Sequence, residues 1–187
     1  MRQKLYDAIA ENPIIVAVKN EEELSACIDT EATVVFLLFG SVENLADNVL
    51  KIKETGKIVF VHLDLVQGLS NHVEAVPFIK KYTLADGIIS TRSEVLKKAK
   101  ELSFDTVYRI FAIDSKGLLN QPAHLKDYVD CVEIMPGLMP KIISRMNETL
   151  KIPVIAGGLI SEKEDVVAAL DAGAIAISST NKDVWEM

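Results

Sequence analysis

Short runs of β-branched and other apolar residues alternate along the whole chain with stretches in which apolar residues recur every three or four positions. A run such as Val34–Phe39 is apolar at every position, which is typical of a strand buried on both faces of a parallel sheet. We therefore predict eight strands: Ile14–Val18, Val34–Phe39, Ile58–Leu63, Gly87–Ser90, Thr106–Ile113, Cys131–Met135, Pro153–Ala156 and Ala174–Ser178.

Several of the intervening stretches have residue patterns that are typical of helix starts. Thr91 with Glu94, and Ser161 with Glu164, have the spacing of a capping box, in which a hydroxyl and a carboxylate bind backbone N–H groups of the first turn. Asn20 precedes three glutamates, which the positive end of a helix dipole favours. These patterns predict helices between the strands.

Eight strands that alternate with helices predict an α/β fold, and in particular a single-domain (β/α)8 barrel of the TIM type over residues 1–187. Because barrels of this type usually have about 250 residues, we expect short loops and some short or vestigial helices. The weakest helical segments are 115–128, which contains Gly117 and Pro122, and 181–187. An open doubly wound sheet is the alternative, and it would require at least two of the predicted strands to be wrong.

Composition and charge limit the classes of function. Apolar residues make up 49% of the 187 residues, which is ample for a core, and a formal net charge of −7 argues against binding nucleic acid or an anionic membrane through net charge. A net charge summed over the whole chain does not exclude a local basic patch. The longest apolar runs, about nine residues, are too short to span a bilayer, and the first residues lack the apolar core of a signal peptide. We expect a cytoplasmic protein that does not bind membranes.

The sequence contains no strong pattern for a metal site or for covalent catalysis. Cys27 and Cys131 lie far apart, as is typical of reduced, buried thiols. No histidine has the spacing to a carboxylate that a strong metal site requires. Lys57 and Lys151 open predicted strands, whereas a Schiff-base lysine is expected inside a strand. We therefore expect neither a metal nor a cofactor.

Polar residues concentrate where the predicted strands end, which is the end of a barrel at which ligands bind. Glycines after strand seven would allow backbone N–H groups to approach an anion, and a helix that starts near Ser179 would direct its positive end to the same place. The alternative is that the two glycines only form a tight turn. This arrangement predicts a phosphate site formed by Gly157, Gly158, Ser178 and Ser179.

Two further pairs of polar residues are candidates for the site. Arg109 lies inside an apolar strand, where a guanidinium is unfavourable unless it is paired, and Glu133 in the next strand is the obvious partner. This pair either fills the barrel interior as a structural ion pair or orients Arg109 toward a ligand. His62 and Asp64 would face the same side of strand three, where they could bind the hydroxyl groups of a polyol. The alternative for these two is a core histidine beside a capping aspartate.

The lysine-rich helical stretches do not predict a nucleic-acid site. The lysines of Lys97–Lys100 lie beside Glu94 and Glu101, which is typical of a solvated helix face, and Lys80–Tyr82 is similar. Aromatic residues make up only 6% of the chain and show no stacking pattern for single-stranded RNA. Composition alone thus gives no positive indication of nucleic-acid binding.

Seven motifs spread through almost the whole chain carry a family resemblance: HLDLVQGL (62–69), DGIISTR (86–92), RIFAIDS (109–115), VEIMPG (132–137), IPVIAGGLI (152–160), GAIA (173–176) and NKDVWE (181–186). In combination and order they resemble the bacterial glycerol uptake operon antiterminator regulators. The resemblance implies a (β/α)8 fold and a regulator, not an enzyme, that binds glycerol 3-phosphate. It also implies action on the leader RNA of glycerol-metabolism transcripts to prevent termination. Two departures are Tyr108, where the family has a glutamine beside Arg109, and the order of the Ser/Thr run at 178–180.

The resemblance assigns the predicted site to one ligand and one partner. The phosphate of glycerol 3-phosphate would bind at the two glycines and two serines named above. The residues expected to meet the glycerol part or attract the anion are His62, Asp64, Arg109, Asp114, Glu133 and Lys19. RNA would need a confined basic surface, for which the candidates are Arg92, Lys97, Lys116, Lys141 and Lys182.

Two other functions are open at this point. One is a barrel enzyme, an isomerase or aldolase acting on a small phosphate ester, with His62, Asp64 and Glu133 as general acid and base. The other is a metabolite sensor whose partner is a protein. The abbreviated last helix also leaves room for a second copy of the chain to cover it, so a homo-oligomer is a further expectation.

Overall fold

The strands of the chain close on themselves. In the computed structural model, which describes residues 2–69, 72–113 and 124–187, eight parallel strands each pair with the next, and the last pairs with the first. The strands are β1 (Ile14–Val18), β2 (Val34–Leu37), β3 (Ile58–His62), β4 (Gly87–Ser90), β5 (Asp105–Phe111), β6 (Cys131–Met135), β7 (Val154–Gly157) and β8 (Ala176–Ser179). The predicted (β/α)8 barrel is confirmed, and the pairing of β8 with β1 excludes the open sheet.

Helices connect the strands on the outside of the barrel. They are α1 (Gln3–Glu11), α2 (Glu21–Ile28), α3 (Leu45–Lys53), α4 (Ala75–Tyr82), α5 (Ser93–Glu101), α6 (Pro140–Leu150), α7 (Lys163–Asp171) and α8 (Lys182–Trp185). Short 3-10 helices span Leu63–Leu65 and Leu125–Asp127. Both weak helical segments of the sequence are short where they are described, since α8 has four residues and the 3-10 helix before β6 has three. Within the described ranges no helix combines the length and the apolar character needed to cross a membrane.

The starts of two helices differ from the predicted capping boxes. The box at α7 forms one residue later than predicted, between Glu162 and Asp165, and the Asp165 carboxylate accepts from the N–H of Ser161 and of Glu162 at 3.1 Å each. The Thr91 hydroxyl does not cap α5, because it donates to the Asp64 carboxylate at 2.8 Å instead. Local spacing alone could not distinguish a cap from this tertiary contact.

Asn20 caps α2 as the sequence predicts. Its side-chain oxygen accepts from the Glu23 N–H at 2.8 Å. The three glutamates of the first turn then lie at the positive end of the helix, where a negative charge is stabilising.

Helix α1 closes the amino end of the barrel, and the sequence patterns above do not predict it. Its buried residues Leu5 and Ile9 are one helical turn apart and join the interior cluster that contains Val34 and Ile58. The segment holds only two large apolar residues in helical spacing, so its pattern is weak without the barrel end that it covers. Ligand access is therefore left to the opposite, carboxyl end.

Alternate residues of each strand fill the interior in layers. The middle of the interior is apolar and includes Ile15, Phe36, Phe60, Val107 and Ile155. Two residues further along their strands, toward the carboxyl end, the side chains become polar: His62 on β3, Arg109 on β5, Glu133 on β6 and Ser178 on β8. The barrel thus presents a buried polar layer directly beneath its open end.

Gly87 tests how tightly the interior is packed. A Cβ at this position would overlap the Phe60 ring and lie 2.8 Å from the backbone oxygen of Asp105. We expect Gly87→Ala to lower the free energy of unfolding, measured by urea denaturation, by about 3 kcal/mol or more, because a backbone oxygen and a core ring must both move. Gly56→Ala is the control, since a Cβ there meets nothing within 4 Å. Its positive φ alone should cost about 1 kcal/mol. A Gly87→Ala protein as stable as the Gly56→Ala protein would contradict this packing.

Candidate functional site

A cavity of about 440 Å³ opens at the carboxyl end of the barrel. Its floor is formed by residues of β1, β5, β6 and β8, and its wall by residues that follow β2, β7 and β8. The lining residues are Ala17, Leu38, Arg109, Glu133, Met135, Gly158, Leu159, Ile160, Ser161, Ser178, Ser179, Thr180 and Asn181. Three of the four predicted phosphate residues and the Arg109–Glu133 pair line this one cavity.

The floor of the cavity is a hydrogen-bonded chain of Arg109, Glu133 and Ser178. The Arg109 Nε donates to Glu133 Oε2 at 2.5 Å, and the Ser178 hydroxyl donates to Glu133 Oε1 at 2.5 Å. Arg109 is 7% exposed and Glu133 is fully buried, so the predicted pairing of these two residues is confirmed. Both carboxylate oxygens of Glu133 are engaged by partners, which fixes the carboxylate and the guanidinium in the plane of the polar layer.

The pair leaves the outer part of the guanidinium available. Within the described part of the chain, Nη1 and Nη2 of Arg109 make no hydrogen bond, and Arg109 lines the cavity. A guanidinium anchored through Nε presents two terminal nitrogens in a fixed plane, which suits oxygen acceptors of a ligand.

Gly157 allows this floor to form. A Cβ at Gly157 would lie 2.6 Å from Glu133 Oε1 and 2.5 Å from the Ser178 hydroxyl. Any side chain would therefore displace the Glu133–Ser178 hydrogen bond. Gly157 lies in β7 beneath the cavity lining, so its absent side chain makes room for the polar floor.

The loop after β7 provides one wall of the cavity. Gly158 has φ +75° and Leu159 has φ +62°, so two successive residues adopt the left-handed conformation. The Gly158 carbonyl accepts from the Gly137 N–H at 3.1 Å, which ties this loop to the loop after β6. A branched residue in this conformation is unfavourable by about 1–2 kcal/mol, so the surrounding loops must hold Leu159 in place.

The loop after β8 provides the facing wall. The Ser179 hydroxyl donates to the Ile160 carbonyl at 3.0 Å and accepts from the Asn181 N–H at 3.1 Å, so it joins this loop to the one after β7. Among the described residues, the backbone N–H groups of Gly158 and Thr180 have no hydrogen-bond acceptor. Two free N–H donors thus lie on the walls of a cavity that has a guanidinium in its floor.

His62 lies in the polar layer beside Arg109, beneath the cavity lining. It is 3% exposed, and its Nδ1 has no hydrogen-bond partner within the described residues. Burial, with a smaller contribution from the nearby Arg109 charge, lowers the pKa of His62 to about 4. The imidazole is therefore neutral at pH 7 and adds no charge to the floor.

Asp64 does not share the orientation of His62. β3 ends at His62, and Asp64 lies in the 3-10 helix Leu63–Leu65, so the two-residue alternation of a strand does not reach it. Its carboxylate accepts from the Ser90 hydroxyl and the Thr91 N–H at 2.7 Å each. The structure thus places Asp64 where it ties the end of β3 to the end of β4, outside the cavity lining.

Lys19 lies in a separate cavity. This space, of about 360 Å³ between the ends of β1 and β2, is lined by Lys19, Asn20, Phe39 and Gln67 among others. The Lys19 Nζ lies 3.3 Å from Glu23 Oε1. The structure therefore does not bring Lys19 together with Arg109, because the loop after β1 turns its side chain toward α2. Asp114 lies outside the described residues.

The basic residues predicted for RNA contact do not form one cluster. Arg92 lies 2.7 Å from Glu94, and Lys182 lies 2.9 Å from Glu22, so each is in an ion pair. Lys97 and Lys141 are exposed on different helices, α5 and α6. Lys116 lies outside the described residues.

Three polar residues of the cavity are not among those predicted from the sequence. Ser161, Thr180 and Asn181 line it, and the Asn181 amide nitrogen donates to the Ser161 carbonyl at 3.4 Å. The available signal was their position, since two of them directly follow the predicted serine pair after β8. In the described parts of the chain no group of three or more histidine, cysteine, aspartate or glutamate side chains could hold a metal ion.

Comparisons with known proteins agree on one family. Residues 14–185 match the family model described as glycerol-3-phosphate responsive antiterminator. The chain is 39% identical over 184 residues to the uncharacterized protein YgcP of Escherichia coli (strain K12), covering 98% of this chain and 96% of YgcP.

Two solved structures are similar over almost the whole length. The glycerol uptake operon antiterminator regulatory protein from Listeria monocytogenes is 36% identical, with a TM-score of 0.88 over 93% of this chain and 95% of that one. A glycerol uptake operon antiterminator-related protein from Thermotoga maritima is 34% identical, with a TM-score of 0.81 over 93% of this chain and 98% of that one. Barrel enzymes at 16% identity also match, which shows a shared fold alone.

The buried histidine predicts a specific loss of stability in mild acid. Because the folded state holds the pKa of His62 near 4 and the unfolded value is near 6.5, the unfolded state binds more protons between these values. The contribution of His62 to the free energy of unfolding is therefore fully present above pH 6.5 and is lost as the pH drops toward 4. His62 should contribute a loss of about 2 kcal/mol between pH 7 and pH 5.

Urea denaturation at pH 7 and pH 5 measures this loss. His62→Gln should lose less stability than the wild type by that amount. His124→Gln, at an exposed histidine, should behave like the wild type. The same pH dependence in all three proteins would contradict a buried, neutral His62.

Proposed function

The chain belongs to the glycerol-3-phosphate responsive antiterminators, and on that premise we propose that it binds glycerol 3-phosphate in the cavity above Arg109 and thereby controls its binding to leader RNA. The RNA would be that of glycerol-metabolism transcripts, and the bound protein would prevent their termination. The observation that carries the proposal is the Arg109 guanidinium, which is anchored by Glu133 with its terminal nitrogens free toward the cavity.

The walls of the cavity supply donors for a phosphate. The N–H groups of Gly158 and Thr180 are free within the described residues, and the hydroxyls of Ser161 and Thr180 lie in the same lining. Hydrogen bonds from neutral donors to an ionised phosphate are short and strong. A phosphate bound there would neutralise no protein charge, so its affinity would come from directed hydrogen bonds.

The floor of the cavity supplies donors for the glycerol hydroxyls. The free Nη1 and Nη2 of Arg109 can donate to two oxygens in one plane. Because each oxygen of Glu133 already accepts a hydrogen bond, one from Arg109 and one from Ser178, the carboxylate positions the guanidinium and the Ser178 hydroxyl. A ligand that carries both a phosphate and vicinal hydroxyls satisfies both sets of donors.

The same geometry gives little support to an enzyme. The acid and base candidates were His62, Asp64 and Glu133. Glu133 has both oxygens engaged, Asp64 is bound to Ser90 and Thr91, and His62 lies beneath the cavity lining. General acid–base catalysis needs a group within hydrogen-bond reach of the reacting atoms, and a binding site fits the arrangement better.

Control of RNA binding requires that the ligand prefer the RNA-competent state. A ligand shifts an equilibrium only by the difference in its affinity for the two states. Coupling free energies of about 1–3 kcal/mol, typical of allosteric proteins, would change RNA affinity by roughly 5- to 150-fold.

The test combines ligand titration with RNA titration. Isothermal titration calorimetry should detect binding of glycerol 3-phosphate to the wild type, and NMR should find the ligand chemically unchanged after incubation. Arg109→Lys keeps a positive charge beside Glu133 but loses the planar pair of donors, so we expect its affinity for the ligand to fall by about 10-fold or more. Lys19→Met, in the neighbouring cavity, should bind within about 2-fold of the wild type.

RNA retention then tests the regulatory half of the proposal. Labelled leader RNA should be retained more strongly with glycerol 3-phosphate than without it, and Arg109→Lys should require a higher ligand concentration for the same effect. Turnover of the ligand would favour the enzyme. A larger loss of affinity in Lys19→Met than in Arg109→Lys would move the site to the other cavity.

A further inference from the structure

The charges of this acidic chain are distributed unevenly around the barrel. Helices α4 and α5 together carry five lysines and two glutamates, whereas α2 and α7 together carry one lysine and six acidic residues. In the closed strand order, β3 and β4 lie across the barrel from β7 and β8, and β1, which α2 follows, is next to β8. Helices α4 and α5, which follow β3 and β4, therefore form a basic side opposite an acidic one.

Three of the lysines on the basic side are not neutralised by acidic groups. Within the part of the chain that the structure describes, Lys80, Lys81 and Lys97 have no acidic partner within salt-bridge distance. Each ammonium instead lies over an aromatic ring: Lys80 4.6 Å from Phe104, Lys81 5.0 Å from Tyr82 and Lys97 5.0 Å from Tyr128. The other two lysines are paired, Lys98 with Glu101 at 3.0 Å and Lys100 with Asp130 at 2.7 Å.

The same surface exposes an aromatic ring. Tyr82 is 53% exposed at the end of α4, and its ring packs on Phe78 with the ring centroids 4.7 Å apart. Leu84, two residues further, is 59% exposed. An exposed aromatic ring that packs on a second ring, beside lysines without acidic partners, is typical of surfaces that bind single-stranded nucleic acid. Bases stack on such rings, and backbone phosphates bind the cations. We call the surface of Lys80, Lys81, Tyr82 and Lys97 the α4–α5 face.

Several cations at the mouth of the barrel are neutralised by acidic partners, unlike the three lysines above. Lys19 is paired with Glu23, Lys182 with Glu22 and Arg92 with Glu94. Three successive glutamates start α2 at this end. A polyanion that approached the mouth on this side would meet net negative charge.

We infer that the α4–α5 face is the surface on which this chain contacts single-stranded leader RNA, an inference that rests on the proposed function. Lys80, Lys81 and Lys97 bind backbone phosphates, and Tyr82 stacks on a base. The face reconciles RNA binding with the acidic composition, because the acidic side of the barrel points away from it. It also changes the interpretation of Lys80–Tyr82 and Lys97–Lys100, which as sequence patterns indicate only a solvated helix face.

The test compares two triple variants of equal charge in the presence of saturating glycerol 3-phosphate. Lys80→Gln/Lys81→Gln/Lys97→Gln removes the α4–α5 face. Lys4→Gln/Lys51→Gln/Lys151→Gln removes three exposed lysines on other parts of the barrel and leaves the face intact. Filter binding of leader RNA at several salt concentrations gives both the affinity and the slope of log K against log salt.

The face variant should bind RNA about 10- to 100-fold more weakly than the wild type, and its salt slope should be smaller by about 2, which corresponds to three lost phosphate contacts on a single strand. The control variant should stay within about 3-fold of the wild type. Tyr82→Ala should weaken binding with an unchanged salt slope, because stacking releases no counterions. Affinity for glycerol 3-phosphate should be the same in all of these proteins.

Three outcomes would overturn the inference, and they separate it from the proposed function. If the wild type responds to the ligand and the face variant binds RNA equally well, the face is wrong while the regulator stands. If both triple variants weaken binding equally, net charge alone is responsible. If the wild type retains no RNA at any ligand concentration, the face and the RNA half of the proposed function both fall, and a protein partner is favoured.

Discussion

The buried ion pair between Arg109 and Glu133 is the constraint on which the site depends. Each ion loses several kcal/mol of hydration when it enters the barrel interior, and the loss is offset only if both charges keep well-placed partners. Arg109 Nε and the Ser178 hydroxyl occupy the two carboxylate oxygens of Glu133. The guanidinium is thereby fixed with its terminal nitrogens toward the cavity, and Gly157 must lack a side chain so that the carboxylate and the hydroxyl can meet.

The barrel around this ion pair leaves the site accessible from its carboxyl end. Apolar side chains fill the interior below the polar layer, and Leu5 and Ile9 of α1 cover the amino end. Short loops then bring the segments after β6, β7 and β8 into contact, through the Gly158 carbonyl and the Ser179 hydroxyl, so that the walls stand directly over Arg109. A chain of 187 residues can form this barrel because the connections between its strands and helices are short.

The sequence predicts the strands and the ion pair because both follow from local rules. Apolar runs mark every strand, and a lone arginine inside one run with a glutamate inside the next predicts a buried pair, which the Arg109–Glu133 register confirms. The role of Asp64 could not be predicted, since it depends on β3 ending one residue earlier than the apolar run and on the position of Thr91. The location of Lys19 depends on the turn after β1, and the α4–α5 face depends on which lysines find acidic partners in three dimensions.

A crystal structure of the protein with bound glycerol 3-phosphate would show whether the ligand occupies the cavity above Arg109. We expect the ligand in the cavity of about 440 Å³, with a hydroxyl oxygen about 3 Å from an Arg109 Nη atom. We also expect phosphate oxygens about 3 Å from the N–H groups of Gly158 and Thr180. A ligand bound between Lys19 and Gln67, with the Arg109 guanidinium untouched, would contradict this binding site.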